Sequence, residues 1–241
     1  MEFALLGVCY DKTQTMRKGA AKAPDVIRNV LPKLETFVSG IDLSEYFIQD
    51  LGNIRADKFE ELEKSINNIR FQKFPLIIGG EHSISLPLVK LLKPKKFVSF
   101  DAHPDLENKD GHSGVMRKIV EILGPKNVFI YGVRTMSKKE NFFIKDNIIN
   151  INSLSFLKKI KEPTYLSIDF DILDPSVLSS VGNPEPEGFS FKELIDSVRV
   201  IARNLIAVDF VEFTPSNNET DNVIAGKLIY AVIAEIIRSK S

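Results

Sequence analysis

The sequence predicts an α/β fold: a central, mostly parallel sheet of about eight strands held between two layers of helices. Short apolar runs that read as strands alternate along the chain with stretches of helical, amphipathic spacing. Polar residues capable of chemistry cluster directly behind several of those runs, as they do beyond the carboxyl ends of parallel strands. A length of 241 residues suits one such domain spanning 1–241 better than two small ones.

Taken in order, EFALLGV reads as the first strand, followed by a helix around Pro24 to Leu34. FIQDLG reads as a short second strand, and KFEELEKSINNIR has the spacing of an amphipathic helix. FPLIIGG is a strand, Ser85 to Leu92 a helix, FVSFDAH a strand and Val115 to Leu123 a helix. The alternation continues through NVFIYGVR, a helix near Ser137 to Ile144, the strand NIINI, a helix over Leu154 to Ile160, and the strand YLSIDFD. Phe191 to Arg203 is helical, LIAVDFVEF is the last strand, and Asn222 to Arg238 is a long apolar-rich helix. The longest irregular segment, Asp174 to Ser190, carries NPEPEG and has the length of a functional loop.

Composition narrows the class. With 44% hydrophobic and 27% charged residues the chain is an ordinary globular protein. Lys plus Arg and Asp plus Glu number 32 each, so no net field recruits nucleic acid. The single Cys9 excludes an intrachain disulfide framework and fits a reducing compartment. No apolar run is long enough to span a membrane, and MEFALLGVCYDK lacks the basic start of a signal peptide. A cytoplasmic location is the expectation.

Chemistry concentrates in KKFVSFDAHPD, where Asp101, His103 and Asp105 follow a strand at alternate positions. Where the backbone stays extended, side chains two apart share a face, so Asp101 and His103 can enter one cavity. His82 follows FPLII in GGEHS, and Asp169 and Asp171 interrupt the apolar run of YLSIDFDILDP. Buried carboxylates in such runs need cationic compensation. Two imidazoles and four carboxylates suit a two-metal hydrolytic site. The chain has only three histidines, His82, His103 and His112, all within a span of 31 positions, and two of them fall in these clusters. Asp174, ahead of Pro175, reads as a turn residue. Glu81 reads as a supporting residue at a helix start.

With these clusters in view, the chain resembles the ureohydrolase (arginase/agmatinase) family. RKGAAKAPDVIR resembles the family's R-x-G-x-x-x-G-P-x-x-I-R, with Ala23 in place of a glycine. GGEHS, SFDAHPD and SIDFDILDP match its three metal-binding motifs, NPEPEGFSFKEL its T-P-E-P-G-G-L segment, and VEFTP its E-V-[NS]-P motif. The resemblance implies an arginase-like three-layer fold and two Mn²⁺ per chain. It assigns His82, Asp101, Asp105 and Asp171 to the first or the shared metal, with His103 and Asp169 completing the second. It also implies that a metal-bridging hydroxide attacks a guanidinium carbon, releasing urea and an amine. Glu212 matches the glutamate that pairs with the guanidinium, and His112 the histidine that passes protons to the leaving amine. Arg117 is a candidate substrate contact. Trimers or hexamers are the assemblies the family implies.

Substrate choice is set in the family by the loop before His112, which here is only LENKDG. HSGVMRK resembles the corresponding run of agmatinase-like members, so agmatine, converted to putrescine, is the favoured substrate. Formimidoylglutamate, arginine and guanidinobutyrate stand behind it. The residues Ser180, Val181 and Gly182 replace the family's G-T-G. Two other classes remain to be separated: a mononuclear zinc deacetylase of the same architecture, against which the six-ligand set argues, and a metal-binding family member without turnover.

Overall fold

The computed structural model describes residues 1–147 and 149–241. Ten strands occur among them: β1 (Phe3–Cys9), β2 (Phe37–Val38), β3 (Ile41–Asp42), β4 (Ile48–Arg55), β5 (Phe74–Ile78), β6 (Lys96–Phe100), β7 (Val128–Tyr131), β8 (Asn150–Ile151), β9 (Thr164–Asp169) and β10 (Leu205–Val211). The α-helices are α1 (Ala23–Val30), α2 (Phe59–Asn67), α3 (Ser85–Leu92), α4 (Val115–Leu123), α5 (Lys138–Asn147), α6 (Leu154–Leu157), α7 (Phe191–Ile201) and α8 (Glu219–Lys240). Eight strands form one sheet in the order β4-β1-β5-β10-β9-β6-β7-β8, and every neighbouring pair is parallel. No described helix is long and apolar enough to cross a membrane.

The apolar runs read as strands because both faces of the sheet are covered. On one face Leu5, Ile78, Val98 and Ile168 pack with α1, α7 and α8 through Ile27, Val198 and Val232. On the other, Leu6, Ile77, Phe97 and Tyr165 pack with α2, α3 and α4 through Leu62, Leu88 and Ile119. Alternate residues of one strand thus feed two cores, which the pleat requires.

Four expectations change in detail. The helix from Pro24 stops at Val30 and tightens into a 3₁₀ turn at Leu31–Lys33, where Pro32 supplies no N–H to continue it. FIQDLG belongs to an eight-residue edge strand, β4. The helix over Leu154 to Ile160 contracts to Leu154–Leu157. NIINI contributes the two-residue β8, and its residue 148 lies outside the described residues. The small β2–β3 hairpin was not anticipated. It turns at Ser39 and Gly40, both with positive φ (51° and 86°), the pairing that favoured two-residue hairpin turns need.

The topology places four strands side by side in the middle of the sheet: β5, β10, β9 and β6. The chain reaches β6 from β5 by skipping two positions, and later returns to fill them with β9 and β10. Such a reversal of strand order opens a crevice beyond the carboxyl ends. Close approach at its floor depends on Gly80. The carbonyl of Gly80 accepts the N–H of Glu212 at 2.8 Å, and Glu81 N–H donates to the carbonyl of Tyr10 at 2.8 Å. A Cβ on Gly80 would sit 2.0 Å from that Tyr10 oxygen. Gly80→Ala is therefore expected to lower unfolding free energy by about 1–3 kcal/mol, as overpacking does. Urea denaturation measures it, and an unchanged midpoint would mean that the β1 end yields without strain.

Candidate metal centre

The aspartates at the ends of β6 and β9 turn the chain in the same way. β6 ends at Phe100, so Asp101 to Asp105 are not extended strand as the alternation implied. Asp101 Oδ1 accepts the N–H of His103 at 2.7 Å, and Asp169 Oδ1 accepts the N–H of Asp171 at 2.9 Å. An aspartate bonding its own backbone two residues on makes a tight turn. Each turn brings the next ligand back over the strand end. Asp171 Oδ1 in turn accepts the N–H of Ala102 at 3.0 Å, tying the two turns together. In each of these three aspartates one oxygen holds backbone and the other faces the crevice.

Two groups form there. Around His82, Nδ1 lies 3.1 Å from Asp101 Oδ2, 3.1 Å from Asp105 Oδ2 and 3.8 Å from Asp169 Oδ2. Around His103, Nδ1 lies 2.8 Å from Asp171 Oδ2 and 3.8 Å from Asp101 Oδ1. Ligand atoms of His82, Asp101 and Asp169 lie within 4.8 Å of one another, as do those of Asp101, His103 and Asp171. Asp101 belongs to both. In this geometry Asp169 stands with His82 and Asp171 with His103, whereas the motifs group Asp171 with the first or shared cation and Asp169 with the second.

Hydrogen bonding alone cannot satisfy this cluster. His82 Nδ1 offers at most one proton to three converging carboxylates, and buried Asp101 Oδ2 has no hydrogen-bond partner. Burial and the charges of Asp171 and Asp105 push Asp101 up to about 7. Burial, with Asp171 and Asp101 nearby, carries Asp169 far above the carboxylate range. Burial would lower His103, but the hydrogen bond and charge of Asp171 outweigh it and lift the imidazole to about 10. Both imidazoles protonated would still leave four aspartates short of two positive charges. Two divalent cations with neutral imidazoles balance them, so the residues present fit a dinuclear site.

The crevice deepens into a cavity of about 210 Å³ lined by His103, Asp105, Asp169 and Asp171 together with His112 and Glu212. Glu212 is 7% exposed and takes a left-handed φ of 65°. Its Oε1 accepts the N–H of His82 at 2.8 Å, its Oε2 the Gln14 amide at 2.6 Å. Burial pushes it up to about 8 despite those two bonds. Exposed Met16 and Lys109 stand at the opening.

Residues 1–237 match the Arginase family. The chain belongs to the arginase family. Over 98% of its length it is 31% identical to the N(1)-aminopropylagmatine ureohydrolase of Thermococcus kodakarensis, across 91% of that protein. It is 32% identical to the agmatinase of Bacillus subtilis, with 97% of this chain and 91% of that one covered. Among solved structures it is similar to the agmatine ureohydrolase of Thermoplasma volcanium, with a TM-score of 0.90 and 27% identity over 98% of this chain and 90% of that one.

Within this arginase-family crevice the six proposed ligands come together, and His112 and Glu212 line the same cavity. Arg117 does not join them. Its guanidinium lies 4.1 Å over the Phe143 ring, and it is absent from the cavity lining. Asp174 caps a surface turn, accepting the N–H of Ser176 at 2.9 Å and of Gly188 at 3.0 Å.

Several contributors escaped the sequence. Ser167 Oγ lies 3.0 Å from His82 Nε2, and Asn183 meets His103 Nε2 at 2.7 Å. Arg134 pins the 174–190 loop, donating to the carbonyls of Asp171 at 2.7 Å, Pro186 at 2.8 Å and Glu185 at 2.9 Å. Ser167 does carry a signal: a hydroxyl two residues ahead of Asp169 inside a buried strand needs a partner. Partners on the far nitrogen of a ligating imidazole fix its tautomer and orientation. Ser167→Ala is expected to weaken metal binding by about 10- to 100-fold. Calorimetric titration with Mn²⁺ reads it, and wild-type affinity would show that the hydroxyl does not orient His82.

Proposed function

We propose that the chain is a ureohydrolase holding two Mn²⁺ and cleaving agmatine, or a close N-substituted agmatine, to urea and an amine. The observation that carries this reading is one cavity combining the aspartate–histidine cluster with a buried, doubly anchored Glu212. His82 with Asp101, Asp105 and Asp169 would hold one cation, and His103 with Asp101 and Asp171 the other. Bound together, such cations supply a water acidified to serve as nucleophile near neutral pH.

The chain's own groups do the rest. Each Glu212 oxygen spends one lone pair on an internal donor and keeps another for a guanidinium N–H, a bidentate geometry suited to that planar cation. His112 shares the cavity and has Nδ1 toward Thr13 at 3.3 Å, which leaves Nε2 free to take a proton from solvent and pass it to the departing amine. Burial of Glu212 strengthens its contact with a cation.

Substrates without a carboxylate fit the remaining lining better than arginine or formimidoylglutamate. No Lys or Arg among the described residues is buried in that lining: Lys109 is an exposed partner of Glu107 at 2.5 Å, and exposed Arg17 donates to the carbonyl of Ser179 at 3.0 Å. Arg117, the anion anchor a formimidoylglutamate site would call on, stacks on Phe143 instead. The two relatives named above, an aminopropylagmatine ureohydrolase and an agmatinase, support the same class.

Urea release from agmatine, arginine and 4-guanidinobutyrate after Mn²⁺ loading, with formamide release from formimidoylglutamate alongside, tests the reading. Preference for agmatine is expected, and turnover of formimidoylglutamate alone would overturn the substrate. Glu212→Gln is expected to retain metal and lose about 100- to 1,000-fold in kcat/KM, the scale of one lost electrostatic contact in a closed site. An unchanged kcat/KM would remove Glu212 from the guanidinium contact.

A further inference from the structure

Glu81, three residues beyond the β5 end, is fully buried, and its carboxylate is saturated by donors. Oε2 accepts the backbone N–H groups of Thr13 at 2.6 Å and Gln14 at 3.1 Å. Oε1 accepts the hydroxyls of Thr13 at 2.6 Å and Ser83 at 2.5 Å. One buried acid therefore fixes two successive residues of the segment leading into α1, and their side chains then diverge toward different sides of the cavity.

Thr13 reaches His112. Its Oγ1 accepts the backbone N–H of His112 at 2.9 Å and lies 3.3 Å from His112 Nδ1. The hydroxyl proton is directed at Glu81, so toward the imidazole Thr13 can only accept. That selects the tautomer with the proton on Nδ1 and leaves Nε2 with its lone pair free. Gly111, at φ 101°, is pressed onto the same hydroxyl: a Cβ there would lie 2.6 Å from Thr13 Oγ1. Gln14 reaches Glu212. Its amide nitrogen donates to Glu212 Oε2 at 2.6 Å, while its amide oxygen accepts the N–H groups of Gly19 at 3.2 Å and Ala20 at 3.3 Å. With both ends engaged, the Gln14 amide has one orientation, and it presents a donor to the carboxylate.

We propose that Thr13 and Gln14 are positioning residues held by Glu81, one setting the tautomer and place of His112 and the other the orientation of Glu212. The inference rests on the roles given to His112 and Glu212 above. Neither positioning residue touches a metal ligand in this arrangement, so their loss acts on substrate handling and not on metal content.

Three variants of the full-length, Mn²⁺-loaded protein test it by agmatine turnover and by hydrogen–deuterium exchange of residues 107–114. Thr13→Val is expected to speed exchange at the His112 amide and to lower kcat by on the order of 10- to 100-fold, the range of a displaced proton-transfer group, with KM little changed. Thr13→Ser, which keeps the hydroxyl, restores both readouts. Gln14→Leu raises KM on the order of tenfold through a misaligned guanidinium contact and leaves exchange at 107–114 as in the wild type. Wild-type exchange and kcat in Thr13→Val would overturn the proposal, as would Ser and Val variants equally impaired. If the wild type turns over no guanidine, the functional reading fails, and the exchange comparison of Val with Ser alone decides whether Thr13 holds His112.

Discussion

Everything in this protein's crevice follows from one electrostatic constraint: four aspartates buried against two imidazoles. Unpaired carboxylates in a low-dielectric interior are expensive, and a fold retains them only where a cation answers them. The chain prepares for that cation with backbone, not with more side chains. Asp101, Asp169 and Asp171 each give one oxygen to an N–H and keep the other facing His82 or His103. A carboxylate tethered this way cannot swing toward solvent to relieve the repulsion. The cost is carried by the packed sheet beneath, whose two apolar cores hold the strand ends in register.

The parallel sheet is what allows ligands so distant in sequence to meet. His82, Asp101, Asp169 and Glu212 each follow or end one of four adjacent strands, β5, β6, β9 and β10. Because β9 and β10 come late in the sequence yet lie between β5 and β6, the C-terminal third of the chain completes the crevice. The 174–190 loop then lines the far side, where Arg134 holds two of its carbonyls, those of Glu185 and Pro186, and Asn183 reaches His103. Ligand geometry and loop geometry are thereby coupled through Asp171, whose carbonyl Arg134 holds and whose carboxylate faces His103.

The parts readable in the sequence are those set by local chemistry. A buried strand in a sheet covered on both faces needs an apolar run, so β1, β5, β6, β9 and β10 announced themselves, and so did the polar residues stationed behind them. Helices α3 and α4 had the boundaries their spacing gave. What could not be read was set by contacts across the chain. That Asp169 lies toward His82 and Asp171 toward His103 depends on contact between the β9 and β6 ends, where Asp171 accepts the N–H of Ala102. Arg117 has the charge of a substrate contact, yet its direction is decided by a distant Phe143. Thr13 and Gln14 look like ordinary polar loop residues until Glu81, nearly 70 positions away, is seen to hold them.

The short loop before His112 gives those cross-chain contacts their weight. Leu106 to Gly111 closes with few bonds of its own: Glu107 N–H donates to the carbonyl of Ser113 at 2.9 Å and Lys109 N–H to that of Glu107 at 3.0 Å. A loop so brief has little internal packing with which to fix a proton-transfer group within hydrogen-bond reach of its target, and small errors in such placement are costly. The chain instead anchors His112 to a residue 99 positions earlier in sequence, itself locked to a buried acid three residues beyond β5. Stiffness is borrowed from the sheet. The same acid reaches Glu212 through Gln14, so the two groups expected to touch the substrate share one rigid reference point that does not depend on the exposed rim around Met16 and Lys109.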